Sequence, residues 1–292
     1  MTIWDGLFQG IIQGATEFLP VSSDGHLTLY QHLTGNSGQG ALFFNLMLHL
    51  GTLLAVFLVY YKDIWQLICA FFKMLGEVFT GKFHFKTQDE NRRMIYMLFL
   101  ACVPLLGFVL LKDWVTMITE DNDIVVEGFC FLWTAVLLFL ASRTAKGKKT
   151  AKEMRVRDAL VIGVFQGTAI MPGISRSGST ISSGLLLGYS KEFCVKFSFI
   201  LGIPAILGAS VFEAKDAISS GQAIEWVPVL VGIITAAVVG YFCIRLIRYL
   251  VVSDKFIVFS YYTGVLGVLT LVAGILEHIW GSNIVELVSR LL

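Results

Sequence analysis

Charged side chains are scarce in this sequence, which argues against an ordinary soluble domain. Asp, Glu, Lys and Arg make up 15% of the 292 residues, whereas soluble domains usually carry about a quarter. Hydrophobic residues make up 56%. Several apolar stretches are long enough to cross a bilayer, which takes roughly 17 to 25 residues of helix. The sequence therefore predicts an integral membrane protein.

Other absences remove further classes of protein. The five cysteines lie apart and form no CxxC pair, so neither a cysteine metal site nor a disulfide framework is indicated. The net charge of +1 gives no sign of a nucleic-acid partner. The N-terminus has no basic segment leading into a long apolar run with a small-residue cleavage site, so no cleaved signal peptide is expected.

Six long apolar runs are predicted to be membrane-spanning helices. They are residues 41–61, 94–111, 124–142, 193–212, 226–249 and 257–277. Two more apolar regions, residues 7–30 and 160–189, are interrupted by Pro20 and by Pro172-Gly173. Proline ends or kinks a helix because it lacks the N–H and clashes with the preceding turn. Each interrupted region is therefore predicted to be a helix, a break and a second helix.

The basic residues favour a re-entrant arrangement of the interrupted regions. Cytoplasmic connections carry an excess of Lys and Arg, and here the basic residues concentrate in residues 62–93, 143–157, 191–196 and 245–255. These connections all share one side only if each interrupted region enters and leaves the membrane on the same side. We therefore expect two re-entrant pairs, with both termini outside. Few basic residues fall in the opposite connections, namely Lys112, Lys215 and Arg290.

The two interrupted regions also resemble each other. Their alignment places Gln13-Gly14 on Gln166-Gly167, Ser22 on Ser175, and Gly25 on Gly178. Each half then holds one re-entrant pair and three spans, so the second half is inverted relative to the first. The predicted fold is an all-α membrane domain of two inverted-topology repeats, residues 1–142 and 158–292, joined by a basic cytoplasmic linker, residues 143–157. Such repeats place broken-helix N-termini near mid-membrane, where they attract anions.

Arg176 is the strongest single indication of function. An arginine at bilayer depth costs about 2.5 to 3.5 kcal/mol on insertion scales, and a bidentate contact with a phosphate would offset that cost. The alternative is a structural pair with a carboxylate or with backbone carbonyls. Ser175, Ser177, Ser179 and Thr180 surround it. Hydroxyls at a helix start often only cap the helix, but their density beside an arginine favours an anion site.

The first break holds the polar set that could perform chemistry. Its members are Gln13, Glu17, Ser22, Ser23, Asp24 and His26. A carboxylate at Glu17 could act as a general base or bind a hard divalent cation. His26 lies three residues after Ser23, so the two are expected to share a helix face, and a histidine can move a proton or attack phosphorus. A histidine that only satisfies the membrane interface is the alternative.

Three further polar residues have two interpretations each. Asn45 and His49 lie four apart in the first span, so both could face the site or could serve helix packing. Asp24 could simply be an acidic residue favoured near a helix N-terminus.

The sequences QGATEFLPVSSDGH (residues 13–26) and PGISRSGST (residues 172–180) together resemble the two motifs of the bacterial undecaprenyl-diphosphate phosphatase family. The first fits the (E/Q)xxxE pattern and the second the PGxSRSxxT pattern. The resemblance extends over the whole chain. It implies a multi-pass enzyme of the bacterial plasma membrane that converts undecaprenyl diphosphate to the monophosphate carrier lipid of cell-wall synthesis. It also implies a divalent cation, Mg²⁺ or Ca²⁺, and an influence on sensitivity to bacitracin, which binds the diphosphate.

The resemblance implies roles for individual residues. Glu17 would be the acid/base or metal-linked carboxylate, Arg176 would hold the diphosphate, and Ser23 or His26 would be the nucleophile or its helper. The implied substrate-binding residues are Gln13, Ser22, Gly173, Ser175, Ser177 and Thr180. Gln13 stands where many members have Glu, and Asn45 where some have Glu, so the metal arrangement stays open.

A transporter or flippase of an anionic polyprenyl phosphate lipid is the alternative function, because inverted repeats with central sites are a transporter architecture. The Glu17, Ser23 and His26 set favours the enzyme, since a carrier needs no nucleophile or base. A channel is a weaker third hypothesis. The expected partners are the polyprenyl diphosphate and membrane lipids, without nucleic acid, and a homodimer stays open as an alternative to a monomer.

Overall fold

The computed structural model describes residues 2–34, 41–81, 89–111, 114, 115, 117, 124–219 and 225–281. Within these ranges the protein forms eleven α-helices and one short 3-10 turn, with no β-strand, so the all-α prediction is confirmed. The helices are α1 (Ile3–Thr16), α2 (Ser23–Thr34), α3 (Ala41–Val59), α4 (Tyr61–Phe79), α5 (Glu90–Val109), α6 (Val125–Ser142), α7 (Val156–Thr168), α8 (Arg176–Leu186), α9 (Lys191–Ser219), α10 (Trp226–Val252) and α11 (Ile257–Trp280).

Five helices are long and apolar enough to cross a membrane, namely α5, α6, α9, α10 and α11. They coincide with five of the six predicted spans. Their outward faces are apolar: Leu230, Ile234, Val238 and Phe242 follow one another at four-residue spacing along α10, and each is more than half exposed. Such a continuous exposed apolar face suits hydrocarbon rather than water. The protein is a multi-pass membrane protein.

The sixth predicted span, residues 41–61, corresponds to α3, and it is followed by a helix that was not predicted. α3 and α4 together are long and apolar enough to be one broken span, and they meet at an angle of 87°. Residues 62–93 had been assigned to a basic connection. The charged residues within α4 masked its helical apolar spacing, which buries Ile64, Leu67 and Met74. Residues 82–88 of that connection lie outside the described ranges.

The basic connections meet at one end of the helices. Asp254, between α10 and α11, pairs with Lys191 at the start of α9 and with Lys146 of the linker, the latter at 3.0 Å. Hydrogen bonds from Lys191 and Lys146 hold the pKa of Asp254 below its usual range. Lys196 of α9 pairs with Asp63 of α4. The segments predicted to share one side of the membrane are therefore neighbours in space.

The linker is slightly shorter than predicted. It contains the 3-10 turn Ala151–Glu153, and α7 already begins at Val156. The carbonyl oxygen of Met154 accepts two hydrogen bonds from the guanidinium of Arg93 on α5, at 3.0 and 2.6 Å. This contact fixes the linker to the start of α5.

Each interrupted region forms two helices separated by a break, as predicted. The first break, residues 17–22, separates α1 from α2, and the second, residues 169–175, separates α7 from α8. The backbone N–H of Gly173 in the second break donates to Oγ of Ser22 in the first at 3.1 Å. The two breaks are therefore in direct contact inside the helical bundle.

The leading helix of each broken pair packs on a spanning helix of the other half of the chain. α1 lies against α10, where a Cβ on Gly10 would come within 2.8 Å of the carbonyl oxygen of Gly232. α7 lies against α5, where a Cβ on Gly163 would meet the backbone carbonyl of Ala101. The missing side chains allow both pairs to approach closely, as small residues do in membrane helices.

Candidate active site

The first break presents a carboxylate and two hydroxyls at the start of α2. Glu17 continues the helical turn of α1. Ser22 has a positive φ of 71°, an uncommon conformation for a residue other than glycine. Its hydroxyl oxygen accepts hydrogen bonds from the N–H groups of Gly25 at 3.3 Å and Gly173 at 3.1 Å. These bonds hold the turn that allows α2 to begin at Ser23.

The second break is fixed by its own cap and by α6. Ser175 caps α8, because its Oγ accepts from the N–H of Gly178 at 3.0 Å. The N–H of Ser175 donates to Oγ1 of Thr134 at 3.1 Å, and that hydroxyl donates to the carbonyl oxygen of Gly173 at 2.9 Å. Gly173 has φ +94°, which favours glycine. Arg176 is the first residue of α8.

Glu17 and Arg176 join the two breaks through a buried ion pair. Nη2 of Arg176 contacts Oε1 of Glu17, and their side chains are 17% and 5% exposed. Oε2 of Glu17 accepts from Oγ of Ser23 at 2.7 Å and from Nε2 of Gln13 at 3.1 Å. The structural pairing weighed for Arg176 is therefore present. It leaves one guanidinium edge of the arginine outside this pair.

Gly202 of α9 provides the space for the guanidinium. A Cβ at this position would collide with Nη1 of Arg176 and would lie 2.9 Å from its Cζ. α9 therefore approaches Arg176 with bare backbone, and the arginine is held between this helix and Glu17.

A cavity of about 300 Å³ lies at the meeting point of the two breaks. Five predicted site residues line it: Glu17, Ser22, Ser23, Ser175 and Arg176. The first residues of α2 and α8, Ser23 and Arg176, are both in this wall. The N-terminal ends of both helices therefore reach the cavity, as predicted, and their free N–H groups and dipoles favour an anion there.

Three residues with open interpretations also line the cavity, namely Asp24, Asn45 and His49. Nε2 of His49 lies 3.7 Å from Oε2 of Glu17 and 3.5 Å from Oδ1 of Asp24. Its Nδ1 lies 2.9 Å from the carbonyl oxygen of Asn45 and, because a carbonyl only accepts, must be the donor. The four-residue spacing of Asn45 and His49 was the signal for their shared face. It could not show that the face meets Glu17.

His26 does not lie beside Ser23 as its spacing suggested. Its Nδ1 is 2.7 Å from the carbonyl oxygen of Ser22, and its Nε2 is 2.7 Å from the hydroxyl of Tyr262 on α11. The ring stacks on Tyr262 and meets the edge of Phe131. His26 is outside the cavity wall, so the histidine nearest to Glu17 among the described contacts is His49.

The remaining predicted residues support the breaks from behind. Gln13 is fully buried and donates to Glu17. The hydroxyl of Ser177 donates to the carbonyl oxygen of Leu19 at 3.3 Å, which is a second bond between the breaks. Thr180 donates to the carbonyl oxygen of Arg176 at 2.9 Å and pairs with Ser198 at 2.6 Å. These side chains and Gly173 position the site without lining it.

The donors around the cavity suit a hard divalent cation only in part. Across the described residues, no three His, Cys, Asp or Glu side chains are arranged to hold a metal ion by themselves. Glu17, Asp24 and Asn45 nevertheless offer carboxylate and amide oxygens to one cavity. Mg²⁺ commonly binds through one or two carboxylates together with substrate phosphates and water. The residues therefore fit a cation that arrives with, or is completed by, a phosphate ligand.

The fold and the cavity define a class of protein. It is an integral membrane protein with an anion site inside its helical bundle, equipped with a hydroxyl already hydrogen-bonded to a carboxylate. Binding alone would not require that second feature, which is the arrangement of a nucleophile and its base.

Comparison with known proteins identifies the family. The chain belongs to the bacitracin resistance protein BacA family, whose model matches residues 6–269. A protein of Alkaliphilus metalliredigens named undecaprenyl-diphosphatase is 39% identical over 279 residues, 94% of this chain and 100% of the relative. Proteins with the same name from Halothermothrix orenii and Methanosphaera stadtmanae are 38% and 36% identical, over 94% of this chain and 100% and 99% of their own length.

Proposed function

We propose that this protein is a membrane phosphatase that hydrolyses undecaprenyl diphosphate to undecaprenyl phosphate and inorganic phosphate. The observation that carries the proposal is the single cavity in which Arg176, Glu17 and Ser23 meet. The name shared by the relatives supports the same reaction. The product is the carrier lipid of cell-wall synthesis. Loss of this activity would leave more of the diphosphate for bacitracin to bind, in keeping with the name of the family.

The substrate would first take Arg176 from Glu17. A guanidinium binds phosphate oxygens with two parallel N–H donors, and the N-terminal ends of α2 and α8 add further N–H groups. Glu17 would keep its hydrogen bond to Ser23 through Oε2 while its other oxygen is released. Binding of the diphosphate would thereby free a base beside the nucleophile.

Two routes lead from this complex to the same products. In the first, Oγ of Ser23 attacks the terminal phosphorus while its proton passes to Glu17, and the bond from phosphorus to the bridging oxygen breaks. Water then hydrolyses the phosphoserine, and the proton on Glu17 returns to Ser23. In the second, Glu17 takes the proton of a water that attacks the same phosphorus. The 2.7 Å bond between Ser23 and Glu17 favours the first route.

A divalent cation, Mg²⁺ or Ca²⁺, is part of the proposal. Glu17 and Asp24 would hold it together with the phosphate oxygens, and its charge would stabilise the negative charge that develops in phosphoryl transfer.

The two halves of the chain are proposed to be inverted repeats, each with a re-entrant pair. The packing of α1 on α10 and of α7 on α5 supports this, because the two contacts exchange under the repeat. The aligned residues Gly10 and Gly163 lie in these contacts. The clustered basic connections support a cytoplasmic location for that end of the protein. The termini would then lie outside a bacterial plasma membrane, and the cavity would open to the outer face.

Purified protein in detergent tests the reaction. We expect release of inorganic phosphate from undecaprenyl diphosphate, loss of activity with a chelator, and recovery on addition of Mg²⁺ or Ca²⁺. The transporter alternative is tested in liposomes by movement of polyprenyl phosphate between leaflets. Lipid movement by a protein that releases no phosphate under any of these conditions would replace the enzyme by the transporter.

Gly202→Val is expected to displace Arg176 and to lower kcat/KM by about 10- to 100-fold, since a 1 Å misplacement can cost this much. The thermal unfolding midpoint should stay near that of the wild type, because the end of a flexible side chain can move. Gly107→Val on α5 is the matched control, since its Cβ would have no atom within 4 Å. Equal kcat/KM for the two variants would contradict the role of Gly202.

A further inference from the structure

The cavity has two chemically different walls. The polar wall carries the ion pair of Glu17 and Arg176 and the hydroxyls of both breaks. The opposite wall is aliphatic: Ala169, Ile170 and Ile174 come from the second break, and Ala205, Ile206 and Ala209 come from α9. A diphosphate fits the first wall but has no use for the second.

The aliphatic wall leads from the arginine to the surface of the protein. Gly202, Ala205, Ile206 and Ala209 lie on one face of α9, because they are spaced by three, four and seven residues. Gly202 contacts Arg176. Ala209 is exposed and also lines the cavity. At 1.5 Å per residue, the opening is about 10 Å along α9 from the guanidinium.

This opening faces lipid rather than water. Ala209 belongs to the apolar part of α9, Lys191–Val211, that can cross a membrane. Leu207, next to it on the outward side, is 45% exposed. An opening at this place connects a polar cavity with the hydrocarbon layer through an aliphatic passage.

We propose that the hydrocarbon chain of the lipid substrate leaves the site through this passage, between the second break and α9, over Ala205, Ile206 and Ala209. The inference rests on the proposed function. With the diphosphate held at Arg176, the attached chain must reach lipid without burying apolar surface against carboxylates and hydroxyls. The aliphatic wall meets that condition, and its alanines leave room for a branched chain.

Ala209→Phe tests the passage by narrowing its outer end. We expect kcat/KM for undecaprenyl diphosphate to fall by about tenfold or more. Phosphate release from dimethylallyl diphosphate should stay within about twofold of the wild type, because a single isoprene unit ends before the opening. Leu207→Phe is the matched control on the same helix, since Leu207 is exposed but does not line the cavity.

The outcomes separate this inference from the proposed function. Wild-type protein that releases phosphate from neither substrate would refute the phosphatase. Active wild type with an Ala209→Phe variant that keeps full activity, or loses both activities equally, would overturn the passage alone. A second measurement uses undecaprenyl diphosphate with a photoreactive group in its first isoprene units. Crosslinks should map to residues 169–174 and 205–209, and crosslinks confined to other helices would overturn the passage.

Discussion

Arg176→Ala is expected to lower kcat/KM for undecaprenyl diphosphate by about 1000-fold or more, since removal of an arginine that stabilises phosphoryl-transfer charge has effects of this size. The same variant should lose binding of a non-hydrolysable methylene diphosphonate analogue. Both losses have one cause: no other cationic side chain among the described residues lines the cavity, except when His49 is protonated. Phosphate release and analogue binding by calorimetry provide the measurements.

Arg176→Lys is the matched control for charge. Lysine keeps the positive charge but has no planar fork for two parallel hydrogen bonds. We expect activity between those of the wild type and Arg176→Ala. If lysine restored full activity, the bidentate contact would be refuted, although an electrostatic role would survive.

Stability must be measured beside activity for these variants. Removal of one partner of a buried ion pair commonly costs about 3 to 5 kcal/mol, because the other charge stays buried. Glu17 would keep its hydrogen bonds from Ser23 and Gln13 in Arg176→Ala, which moderates the cost. Rates should therefore be normalised to folded protein, as judged by thermal unfolding.

Glu17→Gln is expected to abolish turnover but to keep substrate binding. Turnover should fall by about 10²- to 10⁴-fold, the usual range for loss of a general base. The analogue should bind at least as tightly as to the wild type, because Arg176 no longer has a carboxylate to leave. Calorimetry and single-turnover phosphate release separate the two effects.

Gln13→Ala is the matched control for Glu17→Gln. Gln13 donates to the same carboxylate oxygen but lies outside the cavity wall. Its loss should therefore reduce activity much less than the loss of Glu17. If Glu17→Gln lost analogue binding as completely as Arg176→Ala does, the carboxylate would be a binding group and not a base.

The sequence located both breaks because proline and glycine act locally. Pro20 and Pro172-Gly173 stop a helix whatever surrounds them, so the starts of α2 and α8 could be placed to within a residue. The contact of the breaks was predicted from the inverted repeat. Its details were not predictable, since the bond from Gly173 to Ser22 joins residues far apart in the chain.

Side-chain direction was the part that spacing could not determine. His26 and Ser23 are three apart, which suggested a shared face, but Tyr262 of α11 captures the ring of His26 instead. His49 reaches Glu17 because α3 packs beside the first break. Both outcomes depend on which distant helix lies alongside, and periodicity carries no information about that.

The missed helix α4 has a different cause. A hydropathy criterion finds runs without charge, whereas α4 alternates apolar and charged residues with a helical period. Its buried residues Ile64, Leu67 and Met74 mark the inner face. The moment of the pattern, rather than its mean, would have found it.

The central claim is that the two breaks form one catalytic site through Glu17 and Arg176. A double-mutant cycle on kcat/KM for undecaprenyl diphosphate, with Glu17→Gln, Arg176→Ala and the double variant, tests it most directly. Groups that act as a unit are strongly non-additive. The account predicts that the double variant is no slower than the slower single variant. Losses that multiply would show that the two residues act independently and would contradict the account.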